Sequence, residues 1–201
     1  MQEVLCMCMH KARFSAVLYL VSCLTILLVL SGCYVKESTE PVPLLSLSEH
    51  DLCHDRQKLI TFIRLKEIEY SIPSGILQAM IFVESSYMHF TLNIGGVPHR
   101  FRTKNATLKA ARSAAWWGKQ LDIGLCQINY NAHKENFDSI LDMMDPFQNI
   151  DYSAKLLALL YSKKKNWKLA IQSYHGSRNQ ENNRKYLNRV LRYREKINSL
   201  N

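Results

Sequence analysis

One carboxylate interrupts an otherwise apolar helix face in this sequence. Pro73 suits the first turn of a helix, where its missing backbone N–H costs nothing. Leu77, Met80 and Glu84 then fall on one face of that helix. Apolar neighbours would solvate an ionised Glu84 poorly, and the partial negative charge at a helix C-terminus disfavours an anion. Both effects raise the pKa of Glu84, so the sequence predicts a proton donor near neutral pH. The alternative is that Glu84 turns to solvent or caps the helix end.

Two further segments carry polar side chains that suit a carbohydrate. Gln127 and Asn129 lie two residues apart, and they share one side if the segment is extended. Their amides can donate and accept hydrogen bonds, which matches hydroxyl and acetamido groups on a sugar, or they satisfy the backbone of a turn. Tyr174 ends an apolar stripe, so its phenol either projects into a cleft or stays in the core with a satisfied hydroxyl.

Helical patterns dominate the segments that must position these residues. Asp145 followed by Pro146 is an N-cap signal, and Gly176 can terminate a helix. Residues 92–101 contain Gly95-Gly96 and Pro98, which predict a small hairpin or an irregular loop. The predicted fold class is α+β, predominantly α-helical, with one small β element. Helices are predicted over residues 51–70, from residue 73 onward, over 103–117, after residue 145, over 167–176 and over 180–199.

The N-terminal segment has the layout of an export signal. Residues 14–30 are uncharged and almost wholly apolar, and Lys11 and Arg13 precede them. The tetrapeptide that follows, Leu30-Ser31-Gly32-Cys33, resembles the lipobox of bacterial lipoproteins, in which the cysteine thiol accepts a lipid. An uncleaved signal anchor is the alternative, because the apolar run approaches the length that spans a bilayer.

The expected domain organisation follows from this signal. Residues 1–32 are expected to be a lipoprotein signal peptide, and the polar, proline-bearing residues 33–48 a tether. Residues 49–201 are expected to form one domain with its own hydrophobic core.

Composition and charge narrow the class of protein. A hydrophobic content of 47% argues against a disordered chain, and a single long apolar stretch excludes a multispanning membrane protein. The chain has 26 Lys and Arg against 17 Asp and Glu, a formal net charge of +9. This charge suits a polyanionic neighbour, whether cell-wall polymer, anionic lipid or nucleic acid.

The cysteines and histidines give no metal-binding pattern. His50, Cys53 and His54 lie close together, but no second ligand pair stands at a metal-site spacing, so no metal or cofactor is expected. Apart from the signal cysteines and Cys33, only Cys53 and Cys126 remain. They either form a disulfide in an oxidising compartment or stay as buried thiols.

Four motifs together are similar to those of a known family. The soluble lytic transglycosylase domain of the lysozyme-like superfamily carries them in the same order, and the resemblance covers residues 72–193. It implies a lysozyme-like fold, and it is strongest to small members associated with secretion and conjugation machineries. The motifs are Val83-Glu84-Ser85-Ser86-Tyr87, Gly124 to Asn129, Asp145-Pro146 with Asn149-Ile150, and Ala170 to Gly176.

The resemblance also implies roles for individual residues. Glu84 matches the catalytic acid and base of the family, and Tyr174 matches the tyrosine that hydrogen-bonds this carboxylate. Gln127 and Asn129 match its substrate-cleft segment, and Ser85, next to Glu84, is expected to bind substrate as well.

Two departures from the family pattern concern the same segments. Cys126 stands where methionine is usual, which places a smaller side chain at the floor of the cleft. Tyr174-His175-Gly176-Ser177 replaces the commoner Tyr-Asn-Ala-Gly, and His175 is interpreted as a helix-end residue rather than a catalytic one.

The implied activity is non-hydrolytic cleavage of peptidoglycan between N-acetylmuramic acid and N-acetylglucosamine, which leaves 1,6-anhydro ends and needs no cofactor. Two alternatives stay open. One is a hydrolytic muramidase in which Asp122, expected at a turn or helix N-cap, activates water. The other is a non-catalytic peptidoglycan-binding lipoprotein of a secretion system.

Partners and location follow from the same resemblance. The expected partners are glycan strands, a membrane reached through the lipid on Cys33, and a secretion or conjugation machinery, but no nucleic acid. The expected location is the periplasm. Tyr34 is not the aspartate associated with inner-membrane retention, so the outer membrane is favoured over the inner membrane.

Overall fold

Helices make up most of this structure, a computed structural model that describes residues 49–199, with side chains from residue 55 onward. Eight α-helices lie within this range, and a short 3₁₀ turn at Lys134–Asn136 follows the fourth. The helices are α1 (Glu49–Glu69), α2 (Ile76–Ser85), α3 (Lys104–Trp116), α4 (Tyr130–His133), α5 (Ile140–Met144), α6 (Pro146–Lys164), α7 (Trp167–His175) and α8 (Gln180–Asn198).

A small antiparallel sheet lies among these helices. Its four strands are β1 (Thr91–Ile94), β2 (Val97–Arg100), β3 (Leu121–Ile123) and β4 (Ile128–Asn129), in the spatial order β2-β1-β3-β4. The predicted α+β, predominantly helical class is therefore confirmed, and β1 and β2 form the hairpin expected near residues 92–101.

Asp122 lies in β3, so its predicted position at a turn or helix N-cap is wrong. The residue pairs with Asn93 on one side and with Asn129 on the other. Its neighbours Leu121 and Ile123 are completely buried. Strand alternation turns these two apolar side chains into the core, which leaves Asp122 on the opposite face of the sheet.

Helix α2 runs through the centre of the core. Its apolar residues from Ile76 to Ile81 are buried, and it packs against both α1 and α8. Gly75, which precedes α2, has a φ of +79°, and a Cβ there would lie 3.2 Å from Asn198 Oδ1 and 3.3 Å from Arg194 Cγ. Glycine is therefore suited to this position by both its backbone conformation and the closeness of α8.

Several helix boundaries lie where the sequence signals predict them. The Asp145 carboxylate accepts hydrogen bonds from the backbone N–H groups of Phe147 and Gln148, so it caps α6 as expected. Gly176 adopts the left-handed conformation and ends α7. On the predicted helix α8, Tyr186 and Val190 face inward.

The predicted signal peptide, the predicted tether and the predicted lipidation site Cys33 lie outside the described residues. Between residues 49 and 199, no helix has both the length and the apolarity needed to cross a bilayer. Cys126 is a buried free thiol, which corresponds to the second of the two alternatives for this cysteine.

Candidate active site

Glu84 lies in the last turn of α2, where the chain leaves the core. Ser86 and Tyr87 both adopt positive φ angles, 56° and 63°, which turn the backbone away from the helix axis immediately after Ser85. The buried Ser85 hydroxyl donates to the carbonyl oxygen of Ile81 at 3.2 Å. The end of α2 therefore presents Glu84 from a rigid, buried helix rather than from a loop.

Glu84 opens into a cleft with a volume of about 430 Å³, which is within the usual range for ligand sites. The cleft is bounded by the end of α2, by the sheet, by the turn between β3 and β4, and by α7 and α8. Its lining includes the polar residues Glu84, Ser85, Asp122, Gln127, Tyr174, His175 and Arg189.

The surroundings of Glu84 raise its pKa to about 7. Burial is the largest cause, because the carboxylate loses most of its water although the cleft leaves it some solvent access. The negative charge of Asp122 raises the pKa further, while the Tyr186 hydroxyl and the Arg189 guanidinium lower it. At neutral pH both forms of the Glu84 carboxyl are populated, as a group that gives and then takes a proton requires.

Tyr186 of α8 is the tyrosine that faces Glu84. Its hydroxyl is buried and lowers the pKa of Glu84. Among the described residues, however, no partner is aligned well enough to form a regular hydrogen bond with this hydroxyl. The ring stacks on His175, with centroids 4.4 Å apart and planes within 5°. Tyr186 is not among the site residues predicted from the sequence; the available signal was a phenol on the inward face of a predicted helix, because a buried phenol needs a polar partner.

Tyr174 lines the cleft, but the predicted hydrogen bond to Glu84 is replaced by others. Its Oη lies 2.9 Å from the carbonyl oxygen of Cys126 and 3.0 Å from Ser153 Oγ. A phenol has a single proton to donate, and the carbonyl oxygen of Cys126, in the turn between β3 and β4, accepts it. Tyr174 therefore supports the turn that carries Gln127.

Gln127 lies in the cleft wall and serves the turn backbone at the same time. Its φ is 49°, so the backbone is not extended at this residue. An extended backbone was the condition under which Gln127 and Asn129 would share one side. The amide Nε2 donates to the carbonyl oxygens of Gly124 at 2.8 Å and Thr91 at 3.4 Å. This bonding is the turn role that the sequence left open, and it fixes the side chain at the edge of the cleft.

Asn129 supports Asp122 instead of reaching into the cleft. Its Nδ2 donates to Asp122 Oδ1 at 2.8 Å, and its Oδ1 accepts from the backbone N–H of Ala132 at the start of α4. The amide keeps one N–H and one lone pair beyond these bonds, and Asn129 is not among the residues that line the cleft, so its contact with substrate stays a prediction. Burial raises the pKa of Asp122, and the hydrogen bond from Asn129 lowers it.

Asn149 of α6 holds the turn between β3 and β4 in place. It is completely buried, and its Oδ1 accepts from the Cys126 N–H at 2.9 Å. Its Nδ2 donates to the carbonyl oxygens of Ile123 at 3.0 Å and Met143 at 2.7 Å. A Cβ on Gly124 would lie 2.7 Å from this Nδ2, so glycine is required where the turn approaches the amide.

No group of three or more potential metal ligands occurs among residues whose side chains the structure describes. The titratable side chains that line the cleft carry carboxyl, phenol, imidazole and guanidinium groups. Burial lowers the pKa of His175 and the nearby Arg189 lowers it further, while Asp122 raises it; the net shift favours the neutral imidazole.

Comparison with known proteins gives one finding. A family model described as Transglycosylase SLT domain matches residues 61–196, which includes the whole of α2, the sheet and α7, and most of α8. No curated protein and no solved structure matches the chain.

Proposed function

Since the chain belongs to the transglycosylase SLT domain family, whose members are peptidoglycan-cleaving lyases, we propose that Glu84 is the acid and base of this cleavage. The substrate bond is the β-1,4 link from N-acetylmuramic acid to N-acetylglucosamine. The observation that carries the proposal is the position of Glu84: a carboxyl with a pKa of about 7 at the wall of a polar cleft.

The first step breaks the glycosidic bond. Protonated Glu84 gives its proton to the oxygen between the two sugars, and the bond from that oxygen to C1 of the muramoyl unit breaks. The acetamido carbonyl oxygen of the same unit stabilises the positive charge at C1, a substrate-assisted route that needs no second carboxylate. The N-acetylglucosamine end leaves with a new hydroxyl.

The second step closes a ring and restores the enzyme. Ionised Glu84 takes the proton from the C6 hydroxyl of the muramoyl unit, and O6 bonds to C1 to give the 1,6-anhydro sugar. Glu84 is protonated again, and no water has been consumed. Between the steps, the Tyr186 hydroxyl and the Arg189 guanidinium stabilise the carboxylate, because both favour the charged form of Glu84.

Asp122 favours a second candidate, hydrolysis by a muramidase mechanism. It is the other carboxylate of the cleft lining, and its charge acts on Glu84. Asn129 already donates a hydrogen bond to one oxygen of Asp122. This bond favours a role for Asp122 in raising the pKa of Glu84 over a role as the base that activates water.

Product analysis on purified peptidoglycan tests the proposal. We expect wild-type protein to release muropeptides with anhydro ends, each lighter by one water than a hydrolysed end, and Glu84→Gln to reduce turnover at least about a thousandfold. Reducing ends throughout would indicate the muramidase. Wild-type turnover no higher than that of a blank without protein would favour the binding protein without catalysis, and equal activity of wild type and Glu84→Gln above that blank would contradict the role of Glu84.

The N-terminal segment supports a proposal about location. The lipobox-like Leu30-Ser31-Gly32-Cys33 suggests a periplasmic lipoprotein, and Tyr34 suggests the outer membrane. The likeness of the motifs to secretion- and conjugation-associated members suggests local opening of the wall for such an assembly. Labelling cells with a fatty-acid analogue tests the anchor, which Cys33→Ser is expected to abolish.

A further inference from the structure

A basic groove with a volume of about 180 Å³ lies beside the cleft. Three exposed cations of α8, Arg189, Arg192 and Lys196, occupy one side of it, because their spacing places them on one helix face. Phe82 and Tyr193 line it as well, and their rings stack with centroids 3.6 Å apart and planes within 5°. We use the term basic groove for this site.

The described residues do not neutralise the charge of the groove. No acidic residue is among those that line it. Within the described part of the chain, Arg192 and Lys196 have no ion-pair partner, whereas Arg184 and Lys185 at the start of the same helix both pair with Glu181. Positive charge therefore remains available at the groove end of α8.

The groove continues directly from the cleft. Val83 and Arg189 line both, and Val83 immediately precedes Glu84. The Arg189 guanidinium donates to the carbonyl oxygen of Val83 at 3.2 Å, so it stands at the boundary between the two sites. A substrate bound with its reacting atoms at Glu84 can thus extend into the groove.

The chemistry of peptidoglycan indicates what would extend there. The muramoyl unit whose C1 reacts at Glu84 also carries the lactyl-linked peptide stem, so the stem leaves the substrate close to this carboxyl. Peptide stems contain free carboxylates and alanine methyl groups. The carboxylates complement the three cations, and the stacked rings offer an apolar surface for the methyl groups.

We infer that the basic groove binds the carboxylates of the peptide stem on the reacting muramoyl unit. This inference rests on the proposed function, because it takes Glu84 as the site of cleavage. Arg192 and Lys196 are the residues specific to the groove, whereas Arg189 also belongs to the cleft. The groove therefore makes the enzyme prefer glycan that still carries its stems.

The test compares two polymers: peptidoglycan with intact stems, and glycan strands from which an amidase has removed the stems. The variant to be assayed is the full chain in detergent with both Arg192→Gln and Lys196→Gln. We expect its kcat/KM on the stem-bearing polymer to fall roughly five- to tenfold, mainly through KM, since exposed charge pairs are individually weak. Turnover of the stripped strands should equal that of wild type.

A charge-matched control replaces Lys109 and Arg112, exposed residues of α3 that line neither site, by Gln. It should leave both activities unchanged. Equal losses on both polymers, or a loss in the control as large as in the groove variant, would indicate general attraction to a polyanion and overturn the inference. Sedimentation of each variant in a Glu84→Gln background with the two polymers repeats the comparison without turnover. A wild-type protein inactive on both polymers would contradict the proposed function itself.

Discussion

Two tyrosines near Glu84 differ in the group that each hydroxyl meets. Tyr174 was expected to bind Glu84 and instead binds the turn backbone, whereas Tyr186 faces the carboxyl. Both lie on the apolar stripes of neighbouring helices, and their hydroxyls are indistinguishable by periodicity. Which one meets Glu84 depends on how α7 and α8 pack against α2, and this packing joins residues about 100 positions apart.

The Tyr186 hydroxyl is predicted to tune Glu84. Tyr186→Phe removes a group that lowers the Glu84 pKa, so the pKa rises in the variant. Because the first step needs protonated Glu84, turnover falls as pH rises through this pKa, and the alkaline limb of the pH–rate profile should move to higher pH. The ionised form between the two steps also loses a donor, so the maximal rate should fall roughly tenfold.

The control for this variant is Tyr161→Phe, whose ring stacks on Trp167 away from the cleft. It should leave the profile in place. A Tyr186→Phe profile identical to that of wild type would show that the hydroxyl does not act on the catalytic carboxyl.

At the scale of elements, the active site depends on how firmly α2 is held. The Glu67 carboxylate of α1 accepts hydrogen bonds from the backbone N–H groups of Gly75 at 2.9 Å and Gln78 at 3.1 Å. It is buried, and it caps the N-terminus of α2, which Gly75 cannot do because glycine has no side-chain acceptor. One buried carboxylate thus fixes the start of the helix whose end carries Glu84.

Replacing Glu67 by Ala is predicted to lower the free energy of unfolding by about 2–4 kcal/mol, because it leaves buried N–H groups of α2 without acceptors. Urea denaturation at pH 7 measures this change. Glu69→Ala at the exposed end of α1 should cost less than about 1 kcal/mol, since its ion pair with Lys66 is largely solvated. Similar losses for the two variants would contradict the capping role of Glu67.

The elements also show what a sequence can predict. Local signals sufficed for Asp145 at the start of α6 and Gly176 at the end of α7, because capping involves residues within one turn. Strands β3 and β4 have only three and two residues, too few for a period to be recognised. The cap from Glu67 and the Asn149 bonds to the turn link distant segments, so neither could be derived from spacing.

In the whole molecule, the proposed catalytic role of Glu84 and the stability of the fold make opposite demands on this carboxyl. Its pKa is about 7 in the folded chain against an ordinary 4.5, so the native state holds more protons than the unfolded state between these values. The free energy of unfolding therefore falls as pH rises through this window. The fold loses stability between these pH values because the buried Glu84 carboxyl is ionised less readily than the exposed carboxyl of the unfolded chain.

Glu84→Gln is accordingly predicted to stabilise the protein above pH 7 by about 1–2 kcal/mol, a range reduced for the solvent access that the cleft allows. At pH 4, below both pKa values, the carboxyl is mostly protonated in both states, and the stabilisation should nearly vanish. Thermal melting at pH 4 and pH 8 measures the difference, with the exposed Glu135→Gln as the matched control. Destabilisation by Glu84→Gln at pH 8 would be inconsistent with a desolvated carboxyl.

Glu84 is proposed to give and take a proton without water entering the reaction. Digestion of purified peptidoglycan in water enriched with oxygen-18, followed by mass spectrometry of the muropeptides, tests this mechanism. We expect anhydro ends without the heavy isotope from wild type and almost no product from Glu84→Gln. Products that carry oxygen-18 at the muramoyl C1, or undiminished product from Glu84→Gln, would contradict it.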